Sequence, residues 1–477
     1  MSKKPKAVSP ISTNLKCLEL ITLDTFYIEY FKLYFLTLSI SHFQLFFMNI
    51  LQIIPGSGGS FYCGNCLRDD KFHLAMKKQG HDVTKIPMYL PLFSDEHDLN
   101  DMPVFYGAIS IYLKQLYPIF RNAPAWVDRL LNSRPMLKLA ASMAGSTSAK
   151  GLEEMTVSML MGDEGAQKEE LNRMVSWMAE YLKPDVIHLS NALLLGLAPK
   201  LREEFPNATL VCSLQDEDVW VDAMKDSFRD KIWALMSTKS EYIDGFIGVS
   251  NFYSKVSIDK MKISKEKVFT NHLGVDPDEY KCTQPNKKAR NIGYISRMCE
   301  ANGFDIMVDA FIELKKDADF SDVKLILTGG STGDDKPILK QMRLKLKEAN
   351  LLEQVEFHED FDGDGRHDFF RKVRMISVPV RNGEAFGLYL LESMASGVPV
   401  VQPKLGAFPE IIEKSKGGII YKENTPEELA KALKALLSNE DQLLELSSNA
   451  KNGVEKEFNI YKQADNLIDI YHQLKKN

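Results

Sequence analysis

Cysteine is scarce in this sequence: six in 477 residues (Cys17, Cys63, Cys66, Cys212, Cys282 and Cys299). That is too sparse for a disulfide framework and fits reduced thiols in a cytosol. Charge of one sign is also lacking, since 59 Lys and Arg stand against 65 Asp and Glu, a formal net charge of −6. The pI is about 5.9, which argues against a nucleic-acid polyanion as the main partner. Long apolar runs are missing too. An aromatic-rich stretch from Cys17 to Met48 is broken by Glu19, Asp24, Glu29 and Lys32, leaving Leu33 to Phe47, 15 residues, free of charge. A bilayer span needs ~20 residues, and no small-residue cleavage site of a signal peptide follows. With 28 Gly, 20 Pro and 44% apolar residues, the chain is neither collagen-like nor broadly disordered, and its length suits about two or three domains.

What is present is a long α/β pattern that begins at Met48. Residues 1–47 read as an extension outside the fold, with a membrane anchor as the alternative and Met48 as the expected natural start. Short apolar runs then alternate with helix-period segments. Expected strands are Ile50–Ile54, Val83–Pro87, Val186–Leu189, Thr209–Ser213 and Gly245–Val249, then Asn291–Ile295, Lys324–Leu327, Val355–Phe357, Met375–Val380 and Val398–Gln402. Most are β-branched and continuous rather than alternating, as in parallel sheets covered on both faces. Two such series imply two doubly wound domains, joined through the aperiodic segment His272 to Arg290. Thr425-Pro426-Glu427-Glu428 is a helix start, with Thr as cap and Pro at the first helical position. Ile460, Ala464, Leu467, Tyr471 and Leu474 form one apolar stripe on a final helix that must dock on something. Between about 90 and 170 a helical insertion is expected. Within 112–144 it carries Lys114, Arg121, Arg129, Arg134 and Lys138 against Asp128 alone, interleaved with aromatics. Either an ordinary insertion packed on the sheet or a membrane-surface element fits that composition.

The strongest chemical signal lies late. Val378-Pro379-Val380 reads as a strand end, followed by Arg381-Asn382-Gly383-Glu384-Ala385-Phe386-Gly387-Leu388 and a helix from Tyr389 to Ser396. Strand, glycine-containing turn and helix N-terminus make an anion site, because first-turn amides have no intrahelical acceptor. Glu384 sits in the turn. Glu392 falls about one turn inside the helix, where a carboxylate can accept both hydroxyls of a ribose, as in dinucleotide folds.

The run from Glu384 to Glu392, continued by Ser-Met-Ala-Ser-Gly-Val-Pro-Val-Val, resembles the E-x7-E signature of retaining glycosyltransferases of the family 4 type (glycosyl transferases group 1). The resemblance covers nearly all of Met48 to Asn477, weakly in the first half and strongly in the second. It implies a GT-B fold: two Rossmann-like domains facing a cleft, with a C-terminal helix crossing back. The corresponding division is 48–275 for an acceptor domain, 276–455 for a nucleotide-sugar domain and 456–477 for the returning helix. It further implies that Glu384 bonds the transferred sugar and that the segment Ala385, Phe386, Gly387 and Leu388 lines the donor, with the last three amides on the distal phosphate. Glu392 would hold the ribose, and Arg297 would pair with the pyrophosphate. The lysine that normally accompanies this arginine is here Asn302, with Lys287 and Arg381 as candidate replacements. Of the family's H-x-H pair, His188 is present and the second position is Ser190.

In the first domain, Pro55-Gly56-Ser57-Gly58-Gly59-Ser60 follows the opening strand, and the resemblance places Gly58 and Gly59 beside the cleft. The loop fails as a dinucleotide fingerprint, since the third glycine position is Phe61. Ser190, Asn191 and Asp216 lie at the C-terminal ends of strands, where open α/β sheets bind ligands; His188 is equally readable as a core histidine. Cys63-Gly-Asn-Cys66 has no partner pair that would complete a zinc site. Asp360 to Gly365 begins like a calcium loop but has Arg371 at position 12, and Gly329 to Lys336 lacks the ending of a P-loop.

The expectation is a metal-independent, retaining glycosyltransferase of the cytoplasm or inner membrane face. It takes a nucleoside diphosphate sugar as co-substrate, needs no cofactor, and glycosylates a carbohydrate, lipid-linked or small-molecule acceptor. A nucleotide-sugar-binding pseudoenzyme and a GT-B epimerase are the alternatives.

Overall fold

The computed structural model describes residues 47–55, 64–88, 151–281, 284–358 and 363–475. Gly58, Gly59, Cys63, the basic segment 112–144 and the extension up to residue 46 lie outside them.

Among the described residues the first series gives β1 (Asn49–Ile54), β2 (Asp82–Pro87), β3 (Val186–Leu189), β4 (Thr209–Leu214), β5 (Gly245–Gly248) and β6 (Val268–Thr270). They form one parallel sheet in the order β2-β1-β3-β4-β5-β6. The second series gives β7 (Ile292–Ile295), β8 (Leu325–Thr328), β9 (Val355–Phe357), β10 (Met375–Ile376), β11 (Val400–Pro403) and β12 (Gly418–Tyr421). Their order is β12-β11-β10-β7-β8-β9, again all parallel. Helices connect the strands, and β3, β4, β7, β8 and β11 are buried along their whole length. That burial explains their unbroken apolar runs. Residues 49–477 form one compact unit.

In such sheets, ligands bind beyond the strand C-termini where the winding reverses. The reversals fall between β1 and β3 in the first sheet and between β7 and β10 in the second. The loops leaving β3, β7 and β10 are therefore the places to look.

All ten expected strands appear, eight of them with shifted ends. The expected strand Met375–Val380 is corrected to Met375–Ile376. Ser377 N–H still reaches Gly293 O, but Val378 N–H turns to the side chain of Gln402 and Pro379 has no N–H. The chain thus leaves the sheet early and swings into the turn at Gly383. Strands β6 and β12, half-buried edges of three and four residues, were not among the expected strands. Thr425 caps the helix Pro426–Leu437 through Glu428 N–H, as its sequence required.

The final helix, Ile460–Leu474, docks on the first sheet's half. Tyr471 Oη lies 2.6 Å from His188 Nδ1, and Gln79 donates to Tyr461 O and Asp465. The two chain crossings between halves run side by side: Val275 N–H bonds Phe458 O, and Ile460 N–H bonds Val275 O, both at 3.0 Å. Gly274 permits this, since a Cβ there would stand 2.7 Å from Ile460 Cα. No helix among the described residues is long and apolar enough to cross a membrane.

Replacing Tyr471 by Phe strips a buried histidine nitrogen of its partner. We expect a loss of ~1–3 kcal/mol in denaturant melts; an unchanged midpoint would contradict this docking.

Candidate active site

Glu384 sits where two backbone turns meet. Gly383 (φ 81°) and Gly406 (φ 56°) pack so closely that a Cβ on Gly406 would fall 2.4 Å from Glu384 N. Glu384 O accepts the N–H of Ala407 at 3.0 Å, which ties the turn to the start of the helix Phe408–Ser415. The Glu384 side chain accepts from Tyr389 Oη at 2.6 Å. Tyr389 belongs to the helix Leu388–Ala395, capped by Gly387 and free of acids in its first turn. A carboxyl group, a tight turn and a helix N-terminus are therefore brought together.

Across from this turn lies Asp216, at the end of β4 in a left-handed conformation (φ 62°). Its Oδ1 is 3.4 Å from Ala385 N. Both acids are pushed upward. Burial, and then the charge of Asp216, lift Glu384 to about 8, opposed by the Tyr389 bond. Burial, and then Asp218 and Glu217, lift Asp216 to about 7. At neutral pH Glu384 is mainly a neutral acid, able to donate one hydrogen bond and accept others.

Arg297 follows β7 in the neighbouring loop. Its guanidinium is taken by Asp335 through both carboxylate oxygens, at 2.8 and 2.9 Å, and by Thr332 Oγ1 at 3.0 Å. Burial works against the charge of Asp335, but these bonds hold its carboxyl below the usual range. Asn302 Nδ2 donates to Ser296 Oγ (2.9 Å) and to Arg297 O (3.2 Å), so it laces the loop together. Of the candidate replacements for the absent lysine, Arg381 borders the same loop, its backbone N–H bonding Ala301 O, but its guanidinium is engaged by Asp305 and Glu300 O. Lys287 is exposed on the segment linking the two sheets.

Glu392 is completely buried. Its Oε1 accepts from Tyr280 Oη at 2.9 Å and stands 3.0 Å from Arg366 Nε. Tyr280 comes from the linking segment and Arg366 from the helix Gly363–Lys372. No sequence signal pointed to either. The same is true of Asp335, which lay in a stretch weighed only as a failed P-loop.

On the first sheet's side, of the two readings open for His188, cleft residue or core histidine, the structure favours the second. Both its ring nitrogens are used, by Tyr471 Oη (2.6 Å) and Ser213 Oγ (2.8 Å). Burial, and then Arg68, depress it to about 3, so it is neutral. Ser190 instead joins a buried network: its hydroxyl donates to Asp69 at 2.6 Å and accepts from Arg68, which also binds Gln215. Arg68 and Asp69 sit near the start of the helix Gly64–Lys78 and were missed because they read as an ordinary charged pair. Asn191 caps the turn that follows it by accepting Leu193 N–H. Ala192 N–H goes to the buried carboxylate of Glu217.

The two halves are clasped beside this site. Ser250 Oγ donates to Ala385 O at 2.6 Å. Glu410, from the helix Phe408–Ser415, accepts the Asn251 and Phe252 amides at the start of the helix Asn251–Met261 and meets His272 Nε2 at 2.7 Å. A carboxylate at a helix N-terminus is well placed electrostatically. Among the described residues no three His, Cys, Asp or Glu side chains group as a metal site.

Residues 277–453 match the family described as glycosyl transferases group 1. In structure the chain is similar to HepE of Anabaena in complex with UDP and glucose, at 16% identity and a TM-score of 0.62, covering 89% of this chain and 99% of that one. Sucrose-phosphate synthase of Thermosynechococcus elongatus gives 17% identity and 0.64, covering 89% and 98%. The fold is GT-B. Among curated proteins, D-inositol 3-phosphate glycosyltransferase of Corynebacterium jeikeium is 26% identical over 187 residues, 39% of this chain and 44% of that protein. This GT-B chain thus spans less than half the length of that relative. An uncharacterized glycosyltransferase of Methanocaldococcus jannaschii is 27% identical over 61% of this chain and 76% of its own.

The raised acids of this GT-B site predict a pH effect. Carboxyls held above their ordinary values contribute stability that is complete below about pH 4 and lost as pH rises through about 7 for Asp216 and 8 for Glu384. Glu384→Gln should flatten the fall in melting temperature between about pH 5 and 8. An unaltered slope would contradict the burial of this acid.

Proposed function

We propose that the protein is a retaining glycosyltransferase that moves a sugar from a nucleoside diphosphate sugar to an acceptor hydroxyl without a metal ion. The observation that carries this reading is the placement of Glu384 beside the N-terminus of the helix Leu388–Ala395, with Asp216 of the other half across from it. The family match over 277–453 and the GT-B neighbours support it.

The amides of Phe386, Gly387 and Leu388 receive the distal phosphate, and Arg297 pairs with the pyrophosphate. As the sugar–phosphate bond breaks, negative charge grows on the phosphate oxygens, and fixed amide dipoles and a guanidinium stabilise that charge. Glu384 positions the sugar. Being neutral, it escapes the repulsion that a carboxylate beside a diphosphate would suffer. The acceptor hydroxyl approaches from the face the phosphate leaves, and a phosphate oxygen takes its proton, so configuration is retained. Glu392, buried under Tyr280 and Arg366, becomes the ribose ligand once these two side chains move aside. Asp216 faces the acceptor, whereas Ser190 and Asn191 act from behind it, through the Arg68–Asp69 network and the turn after β3.

The Anabaena neighbour was solved with UDP and with UDP-glucose, which makes uridine the first base to try. The acceptor is a carbohydrate, a lipid-linked sugar or a small molecule. The segment 112–144 is our candidate for a membrane-surface contact on the cytoplasmic side.

A thermal-shift panel of UDP-, GDP- and ADP-sugars tests the donor. One base should raise the melting point, since a ligand at 100 times its Kd adds about 2.7 kcal/mol. Glu384→Ala, folded and still binding the nucleoside diphosphate, should lose about 100-fold in kcat. Near-normal transfer would remove Glu384 from the mechanism. Consumption of the donor into an epimer without acceptor would favour an epimerase instead.

A further inference from the structure

In a site where Asn302 stands at the usual lysine position, the placement of Arg297 matters more than it otherwise would. Its guanidinium is gripped by a residue from a different loop, the one leaving β8. Asp335 meets it in the two-pronged geometry that fixes both distance and plane. Asp335 is itself immobilised: it is buried, its Oδ2 accepts Thr332 N–H at 2.7 Å, and the Thr332 hydroxyl lies 2.9 Å away. The backbone end of Arg297 is held as well, since its carbonyl accepts from Tyr294 Oη (3.0 Å) and Asn302 Nδ2 (3.2 Å). An unrestrained arginine must give up about 2 kcal/mol of rotamer freedom when it binds an anion. Here most of that ordering is complete before any ligand arrives.

We propose that Asp335 is the positioning residue of the diphosphate subsite, acting through Arg297 and specific for ligands that carry a pyrophosphate. The assignment rests on the glycosyltransferase reading above. Asp335 touches no substrate. It holds the guanidinium where a diphosphate would sit and accepts the cost of partly offsetting its charge. The competing account is an ordinary ion pair that only fastens the loop after β7 to the loop after β8.

A double-mutant cycle separates the two. Calorimetric titration of the full chain uses the nucleoside diphosphate whose sugar raised the melting point, and the matching nucleoside. Asp335→Asn should weaken the diphosphate about tenfold, the size of a lost charge-assisted bond, while the nucleoside binds as before. In an Arg297→Ala background the same change should alter diphosphate binding less than about twofold, since two residues acting as one unit are not additive. Asp335→Glu should recover part of the loss, and it serves as the readout if the Asn variant fails to fold. Equal weakening in both backgrounds, equal loss of diphosphate and nucleoside, or tighter diphosphate binding would each overturn the proposal. If the wild-type chain binds no nucleoside diphosphate, the glycosyltransferase reading fails and takes this assignment with it. If it does bind and Asp335→Asn has no effect, only the role of Asp335 falls.

Discussion

The site depends on the contact of two glycine turns. Gly383 and Gly406 approach so closely that neither accepts a side chain, and the single bond from Ala407 N–H to Glu384 O fixes two things at once. It sets Glu384 in front of the helix Leu388–Ala395, whose Tyr389 then holds the carboxyl. It also starts the helix Phe408–Ser415 in the direction that delivers Glu410 to the opposite half. One backbone contact therefore links the chemistry of the second sheet to the clasp with the first.

Around that contact the electrostatics are economical in positive charge. Asn302 supplies no cation, Arg381 is committed to Asp305, and Arg297 is shared with Asp335. A charged Glu384 in such a place would work against a bound diphosphate. Burial and the nearby Asp216 favour the neutral form instead. The same low-polarity junction that raises these acids strengthens each bond a ligand would make there. Stability at neutral pH is thus lowered locally by the two raised acids.

Much of the architecture was legible in the sequence because parallel strands buried on both faces must be continuous apolar runs. The short edges β6 and β12 were not among the expected strands, although the edge β9 was and β12 carries Ile419-Ile420-Tyr421. The turn at Gly383–Glu384, the cap at Thr425 and the stripe of the last helix were readable from local chemistry. The partners were not. Tyr280 and Arg366 on Glu392, Asp335 on Arg297, and Asp69 and Arg68 on Ser190 come from distant segments. Their pairing follows from sheet order, which no local pattern encodes. His188 shows the converse case: its place on the strand was right, but only the returning helix decides that it faces Tyr471.

The most direct measurement is a crystal structure of the full chain with the bound nucleoside diphosphate sugar. The account predicts the distal phosphate about 3 Å from the Gly387 and Leu388 amides and from the Arg297 guanidinium, and the sugar hydroxyls on Glu384 at similar distance. A nucleotide bound away from the turn at Gly383–Leu388, or a sugar out of reach of Glu384, would contradict it.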